Sequence, residues 1–237
     1  AKERNLFVIE DAAQGTLASY KGRLLGSIGD LAAYSFHETK NLISGEGGAL
    51  LINDEKFISR AEIIREKGTD RSSFHRGEID KYTWQDVGSS FLPSEIIASF
   101  LYAQLECAEE ITRDRKKSWD FYHKNLKLLE ERGNLRLPII PQDCDHNGHM
   151  YYILVSDTDL RDRLIQYLKD NEIYSVFHYI PLHSSPAGKK YCKMHGNLET
   201  TNRSSESLVR LPLWKGISLE MQTKVVDCVD SFFKKYA

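Results

Sequence analysis

Ser35-Phe36-His37-Glu38-Thr39-Lys40-Asn41-Leu42-Ile43-Ser44-Gly45-Glu46-Gly47-Gly48 is the stretch on which the fold of this 237-residue chain turns. It joins two apolar segments, residues 31–36 and 48–52, and so predicts a polar, glycine-containing loop between two strands. Upstream, Leu6-Phe7-Val8-Ile9 runs into Glu10-Asp11. That pattern predicts a buried strand with carboxylates at its C-terminal edge, where open α/β sheets place their ligands. A single lysine in a polar loop is ordinarily a solvated side chain. A single aspartate after a strand is ordinarily a cap for the next helix. Their order along the chain, with a serine hydroxyl between them, has to be weighed against those readings.

Working outward, Asn53 or Asp54 caps a helix that ends near Lys67. Residues 93–132 read as helical, with Ile96, Ile97, Phe100, Leu101 and Leu105 near helical spacing and a charged continuation through Arg113, Arg115 and Lys117. Beyond Gly133, residues 135–137, 150–155 and 174–178 predict strands, and residues 159–171 and 219–235 amphipathic helices. We place one domain over residues 1–110 and a smaller α+β domain over 111–237.

Composition narrows the function. A formal charge of -2 and a pI near 6.5 give no electrostatic footprint for nucleic acid. Cys107, Cys144, Cys192 and Cys228 form no CxxC pair, which speaks against a zinc ribbon or dithiol motif and fits a reducing compartment. The run Asp143-Cys144-Asp145-His146-Asn147-Gly148-His149 offers metal-ligand types but no closed zinc spacing, and reads as an ordinary loop. No metal is expected. The first residues lack the apolar stretch of a signal peptide, and no apolar run approaches the roughly 20 residues that span a bilayer. The expectation is a soluble cytoplasmic protein that does not engage a membrane.

Asp11-Ala12-Ala13-Gln14, Ser35-Phe36-x-x-x-Lys40 and Gly45-Glu46-Gly47-Gly48 together resemble the active-site core of fold-type I pyridoxal-phosphate enzymes, and more narrowly the DegT/DnrJ-type nucleotide-sugar aminotransferases. Gln104-Leu105, His178-Tyr179-Ile180-Pro181-Leu182-His183 and Leu211-Pro212-Leu213-Trp214 match the same family, so the resemblance spans nearly the whole chain. It implies an α/β fold: part of a large domain with an open sheet, plus the smaller C-terminal α+β domain. It also implies pyridoxal 5'-phosphate as cofactor, with Lys40 as the Schiff-base lysine and Asp11 as partner of the ring nitrogen. Ala13 would lie under the ring face, Gln14 would donate to the phenolic oxygen, and Ser35 would bind the phosphate.

These residue types suit that chemistry. A carboxylate held against the ring nitrogen favours its protonated form, which stores the electrons of a breaking bond at the substrate carbon. Lys40 must act as an amine and then as an acid–base group, which calls for lowered basicity.

On the substrate side the resemblance makes Tyr179 and His183 candidate contacts to the sugar or diphosphate. For these the alternative stays open that the aromatics are core and the histidines polar edge residues. At Gly88-Ser89-Ser90 many family members have an asparagine that reaches the neighbouring subunit's phosphate; here Ser90 is shorter but still a donor. The sequence from Tyr82 to Glu95 resembles the branch that aminates dTDP-4-keto-6-deoxyglucose. The implied reaction takes an amino group from glutamate to the C4 ketone of that sugar, in a homodimer serving surface polysaccharide (lipopolysaccharide) biosynthesis. Within the fold the alternatives are another nucleotide-sugar aminotransferase of different regiospecificity and a sugar dehydratase; the dehydratase branch carries histidine in place of the lysine, so Lys40 argues against that one. The family's chains also carry an N-terminal half with a phosphate-binding loop at a helix N-terminus, which nothing before Leu6 supplies. A silent binding or assembly module is therefore the competing reading, and exposed apolar surface with unpaired strand edges is the expected physical cost.

Overall fold

The computed structural model describes residues 1–236, and the chain forms two compact units, Ala1–Ile111 with Gln142–Asn147 and Thr112–Pro141 with Gly148–Ala237. The first unit opens with β1 (Ile9–Asp11), the hairpin β2 (Ser19–Tyr20) and β3 (Arg23–Leu24), then β4 (Leu31–Ser35) and β5 (Gly48–Ile52). β4 is the middle strand of one sheet, parallel to β1 and antiparallel to β5. Between β2 and β3, Lys21 and Gly22 both have positive φ, 50° and 73°, the geometry a two-residue hairpin needs to match strand twist.

The expected buried strand over residues 6–9 is corrected here. Pairing starts only at Ile9, and Leu6, Phe7 and Ile9 are 60, 62 and 71% exposed. β1 is an edge strand with β4 as its neighbour, so an apolar run alone did not place it in an interior.

Asp54 accepts from the Lys56 N–H and starts a 3-10 turn (Glu55–Phe57) leading into α1 (Ile58–Arg65). There follow α2 (Arg71–His75), α3 (Glu95–Glu106) and α4 (Ala108–Glu131). The single helix expected over 93–132 breaks at Cys107, whose N–H turns back to the Gln104 carbonyl. Phe36, Leu42, Ala108 and Ile111 form the first unit's core, with Leu17, Tyr34 and Leu101 against it. A late strand, β6 (Cys144–Asp145), pairs antiparallel with β2, giving a second sheet in the order β3-β2-β6.

The second unit takes Trp119, Tyr122, Leu126 and Leu129 from one face of α4. It continues with β7 (Tyr151–Leu154), α5 (Thr158–Asp170), β8 (Val176–Phe177), α6 (Pro186–Tyr191), α7 (Glu199–Ser207), β9 (Leu208–Leu211) and α8 (Leu219–Tyr236). The sheet order is β7-β9-β8, antiparallel throughout. Tyr151 and Ile153 of β7 and Val209 and Leu211 of β9 meet Leu164 and Leu168 of α5 and Val225, Val229 and Phe232 of α8. Each such aliphatic side chain contributes about 1.5–3 kcal/mol on burial. Of residues 135–137, expected as a strand, Arg136 alone pairs, in an isolated bridge with Leu154, while Leu135 and Leu137 join the core and the central strand β9 was not foreseen.

A buried cation ties this unit together. Arg115 is 7% exposed; its Nε donates to the Gly148 carbonyl at 3.1 Å and its Nη2 to the His149 carbonyl at 2.6 Å. Burial lowers its pKa to about 10, against the opposing pull of Asp114. Gly148 has φ 62°, and a Cβ there would come within 3.0 Å of the Arg115 backbone carbon. Among the described residues no helix is long and apolar enough to cross a membrane.

Candidate active site

The register Asp11↔Ala33 sets the site's geometry. In a parallel pair, partnered residues point to one side of the sheet, and residues two apart along a strand do so too. Asp11, Ala33 and Ser35 therefore share one face at the C-terminal ends of β1 and β4, and Glu10, Ala32 and Tyr34 share the other.

Each face has its own surroundings. Ala32 is fully buried, whereas Asp11 and Ala33 are exposed and Ser35 is half-buried. Asp11 Oδ1 accepts from the Ala13 N–H at 3.2 Å, which bends the chain sharply after β1 and places Ala13 and Gln14 in the turn beside it. Ser35 Oγ accepts from the His37 N–H at 3.4 Å and keeps its own hydroxyl proton to donate.

On the opposite face Glu10 stabilises the approach to β4. Its carboxylate accepts from the backbone N–H groups of Gly26, Ile28 and Gly29 at 2.9, 2.6 and 2.6 Å. Partial burial works to raise its pKa, but these three bonds and Arg23 outweigh that and hold it below the ordinary 4.5. A carboxylate depressed by folding contributes stability that is present above about pH 4.5 and lost as pH falls through the folded-state value. Glu10→Gln is thus expected to be less stable than the parent at pH 7, with the gap closing below pH 4.5. Urea melts from pH 7 to pH 3 read this directly, and a pH-independent gap would contradict it.

Lys40 lies in the loop between β4 and β5, half-buried, its N–H donating to the His37 carbonyl at 2.9 Å. The loop is closed on itself by Glu38 N–H to Gly45 O, Ser44 N–H to Phe36 O and Phe36 N–H to Gly47 O. His37 Nδ1 lies 3.2 Å from the Thr39 N–H nitrogen, and its Nε2 lies 3.6 Å from Glu46 Oε1. Gly45 has φ 83°, and a Cβ on Gly48 would sit 2.8 Å from the Tyr34 carbonyl oxygen, so these glycines answer to the loop's own backbone. Leu42, 1% exposed, anchors the loop in the core.

The remaining expected residues lie elsewhere. Ser90 pairs with Glu66 across an isolated bridge, beside an arginine-lined cleft of about 490 Å³ formed by Arg65, Glu66, Arg71, His75 and Arg76 with neighbours. Arg71 is bonded to Glu66, and Arg76 to Glu62 and Glu78, so most of that positive charge is already compensated.

Tyr179 and His183 belong to the second unit. Tyr179 is 76% exposed and packs its ring 5.4 Å from His178, and His183 Nε2 meets Asn202 Oδ1 at 2.9 Å. In the same segment sequence reasoning passed over His178. Burial and Arg210 hold its imidazole below the usual histidine range, and its Nδ1 is buried without a hydrogen-bond partner. A polar histidine at a strand end carries no sequence signal for that.

Comparison with known proteins gives the chain its relatives. The chain is 27% identical over 234 residues to a GDP-perosamine synthase of Escherichia coli O157:H7, covering 98% of this chain and 60% of that protein. It is 28% identical over 232 residues to the dTDP-3-amino-3,4,6-trideoxy-alpha-D-glucose transaminase of Micromonospora megalomicea subsp. nigra, covering 97% and 59%. The crystal structure of the aminotransferase TlmJ from Streptoalloteichus hindustanus superposes with a TM-score of 0.87 at 25% identity, covering all of this chain and 61% of TlmJ. The chain thus spans about three-fifths of the length of the relatives it matches and carries the fold-type I aminotransferase architecture across that span. The family described as DegT/DnrJ/EryC1/StrS aminotransferases matches residues 1–230, and the chain belongs to it.

Proposed function

We propose that the protein is a pyridoxal-phosphate-dependent aminotransferase acting on a nucleotide sugar, with Lys40 as the reacting amine and Asp11 as partner of the ring nitrogen. The supporting observation is the common sheet edge: the Asp11 carboxylate and the Ser35 hydroxyl share one face, and the next loop carries Lys40. The donor set fits the cofactor, with a carboxylate for a pyridinium, a hydroxyl for a phosphate, a primary amine for an aldehyde, and a small alanine beside them.

When bound, the cofactor supplies an electron sink for the bonds at the carbon bearing nitrogen. The residues of this chain do the rest. Asp11 would keep a proton on the ring nitrogen by placing negative charge against it. Ser35 would donate to the phosphate and Gln14 to the phenolic oxygen, with the small Ala13 under the ring face. Lys40 Nζ would be the amine that meets the cofactor's aldehyde and the acid–base group that holds or releases a proton beside it. Ser90 serves the phosphate of the neighbouring subunit in a homodimer, and the exposed Phe91, Ile96 and Phe100 nearby in sequence are apolar surface that such a dimer would cover. In this reading residues 1–110, joined by Gln142–Asn147, form part of the large cofactor domain and the rest of residues 111–237 the small domain, with Tyr179 and His183 as the proposed contacts to the sugar or diphosphate.

The donor is glutamate and the acceptor the C4 ketone of dTDP-4-keto-6-deoxyglucose, making the protein a dTDP-4-amino-4,6-dideoxygalactose transaminase. That finer assignment rests on the sequence from Tyr82 to Glu95. Relatives that act on GDP-linked and on dTDP-linked sugars match about equally well. Incubation with pyridoxal phosphate, reduction with borohydride and peptide mapping test the site. Label concentrated on Lys40 supports it, and no label or label scattered over surface lysines refutes it. Glutamate with dTDP- and GDP-linked 4-keto sugars in parallel then tests the substrate; turnover of the GDP sugar alone would overturn the thymidine assignment.

A further inference from the structure

Asn147 does something in this fold that no motif announces. It comes from the segment Gln142–Asn147, which belongs to the first unit although the second unit's residues flank it in sequence. β6 brings this segment alongside β2, pairing Asp145 with Ser19 and Cys144 with Tyr20, and Lys21 N–H donates to the Asp143 carbonyl at 2.7 Å. Two residues later Asn147 is 5% exposed. Its Nδ2 donates to the carbonyls of Gln14 and Thr16, both at 2.8 Å. Its own carbonyl accepts from Asn41 Nδ2 at 2.9 Å, and Asn41, the residue after Lys40, is 8% exposed.

One residue therefore grips both halves of the candidate site. The turn carrying Ala13 and Gln14 is held through two of its carbonyls, and the lysine loop through the side chain adjacent to Lys40. We propose that Asn147 is a positioning residue, fixing the Lys40 loop against the turn that follows Asp11. The proposal rests on the assignment of Lys40 and Gln14 to the cofactor site given above. Buried amide-to-carbonyl bonds suit the task, because each donor and acceptor has a defined direction and losing one leaves a desolvated polar group. An isosteric carboxylate is the sharpest perturbation. It keeps the volume of Asn147 but replaces two N–H donors with acceptors that face the Gln14 and Thr16 oxygens.

The full chain would be compared with Asn147→Asp, with Asn41→Leu, which removes the Nδ2 donor that ties the Lys40 loop to the Asn147 carbonyl, and with Asp143→Asn. The last perturbs the exposed Lys21 pair on the same segment and leaves the clamp intact. Amide hydrogen exchange without cofactor reads the clamp at Gly15, Glu38 and Lys40, against the β4–β5 ladder as reference. Asn147→Asp is expected to speed exchange at those three amides by about tenfold or more while the ladder changes by less than about twofold.

After incubation with pyridoxal phosphate and borohydride, the share of label on Lys40 is expected to fall at least about fivefold in Asn147→Asp and Asn41→Leu, and to hold in Asp143→Asn. Unchanged exchange overturns the clamp, and so does exchange that rises uniformly through the unit, which would mark a merely structural residue. Local loosening with undiminished label on Lys40 overturns the positioning role. If the parent chain takes no label on Lys40, the cofactor assignment itself falls, and exchange alone then decides whether Asn147 fixes the loop.

Discussion

Lys40→Ala, in protein supplied with pyridoxal phosphate, is expected to lower the turnover number for amino transfer by about three orders of magnitude, within the 10²–10⁴ that a positioned acid–base group contributes. The loss should appear in kcat, with little change in the KM for the nucleotide sugar, because the amine acts on the bonds that change and not on the remote nucleotide. Lys21→Ala is the matched comparison: an exposed lysine of the same unit, in the β2–β3 turn, whose removal should leave turnover within a factor of about two. Steady-state rates with glutamate as donor measure both. Lys40→Ala turnover within tenfold of the parent would remove the lysine from the mechanism.

Arg115→Met is expected to destabilise the second unit by about 3 kcal/mol. The long apolar side chain replaces much of the volume, so the loss is chiefly that of the charged donors to the Gly148 and His149 carbonyls, which buried acceptors do not recover from bulk water. Relief of the guanidinium's desolvation offsets part of this and separates the case from a buried ion pair, where both charges can be replaced together. At roughly 2–4 °C per kcal/mol for a chain of this size, the thermal midpoint should fall by roughly 6–12 °C. Arg115→Lys should recover little, since a single ammonium lacks the planar fork that serves two carbonyls from one group. Gly148→Ala should cost about 1–2 kcal/mol at the same place, because its φ of 62° is disfavoured for a residue with a Cβ. A midpoint for Arg115→Met within 2 °C of the parent would show that its hydrogen bonds add nothing to the fold.

What could be read from the sequence was the family and the elements that flank the candidate site. Asp11, Ser35 and Lys40 are few, polar and ordered along the chain, and β4 and β5 flank them as apolar runs of ordinary strand length. β9 escaped notice for a physical reason. Leu208-Val209-Arg210-Leu211 is four residues long, begins directly where α7 ends and stops at Pro212, so no turn signal sets it apart, and its central place in the sheet depends on partners distant in sequence. The break at Cys107 was hidden because the apolar spacing of α3 continues without a glycine or proline into α4. Leu6, Phe7 and Val8 misled in the opposite sense, since composition reports what a segment could bury and not whether anything covers it. Asn147 gave no signal at all. An asparagine before a glycine in a polar run reads as a turn, and only the fold shows that its amide faces two carbonyls more than a hundred residues earlier in the chain.

That separation in sequence also bears on how the protein comes into being. Synthesis proceeds from the N-terminus, and domains commonly fold in that order as they emerge. Here β1 to β5 and the lysine loop can form early, but the strand that completes the β3-β2-β6 sheet is delivered only after all of α4 has been made. Until then the edge of β2 and the carbonyls of Gln14 and Thr16 await partners that do not yet exist, and chain closure over so long a loop is slow compared with local pairing. A ribosome-bound chain ending near residue 111 would therefore hold its candidate site residues on an unfinished scaffold.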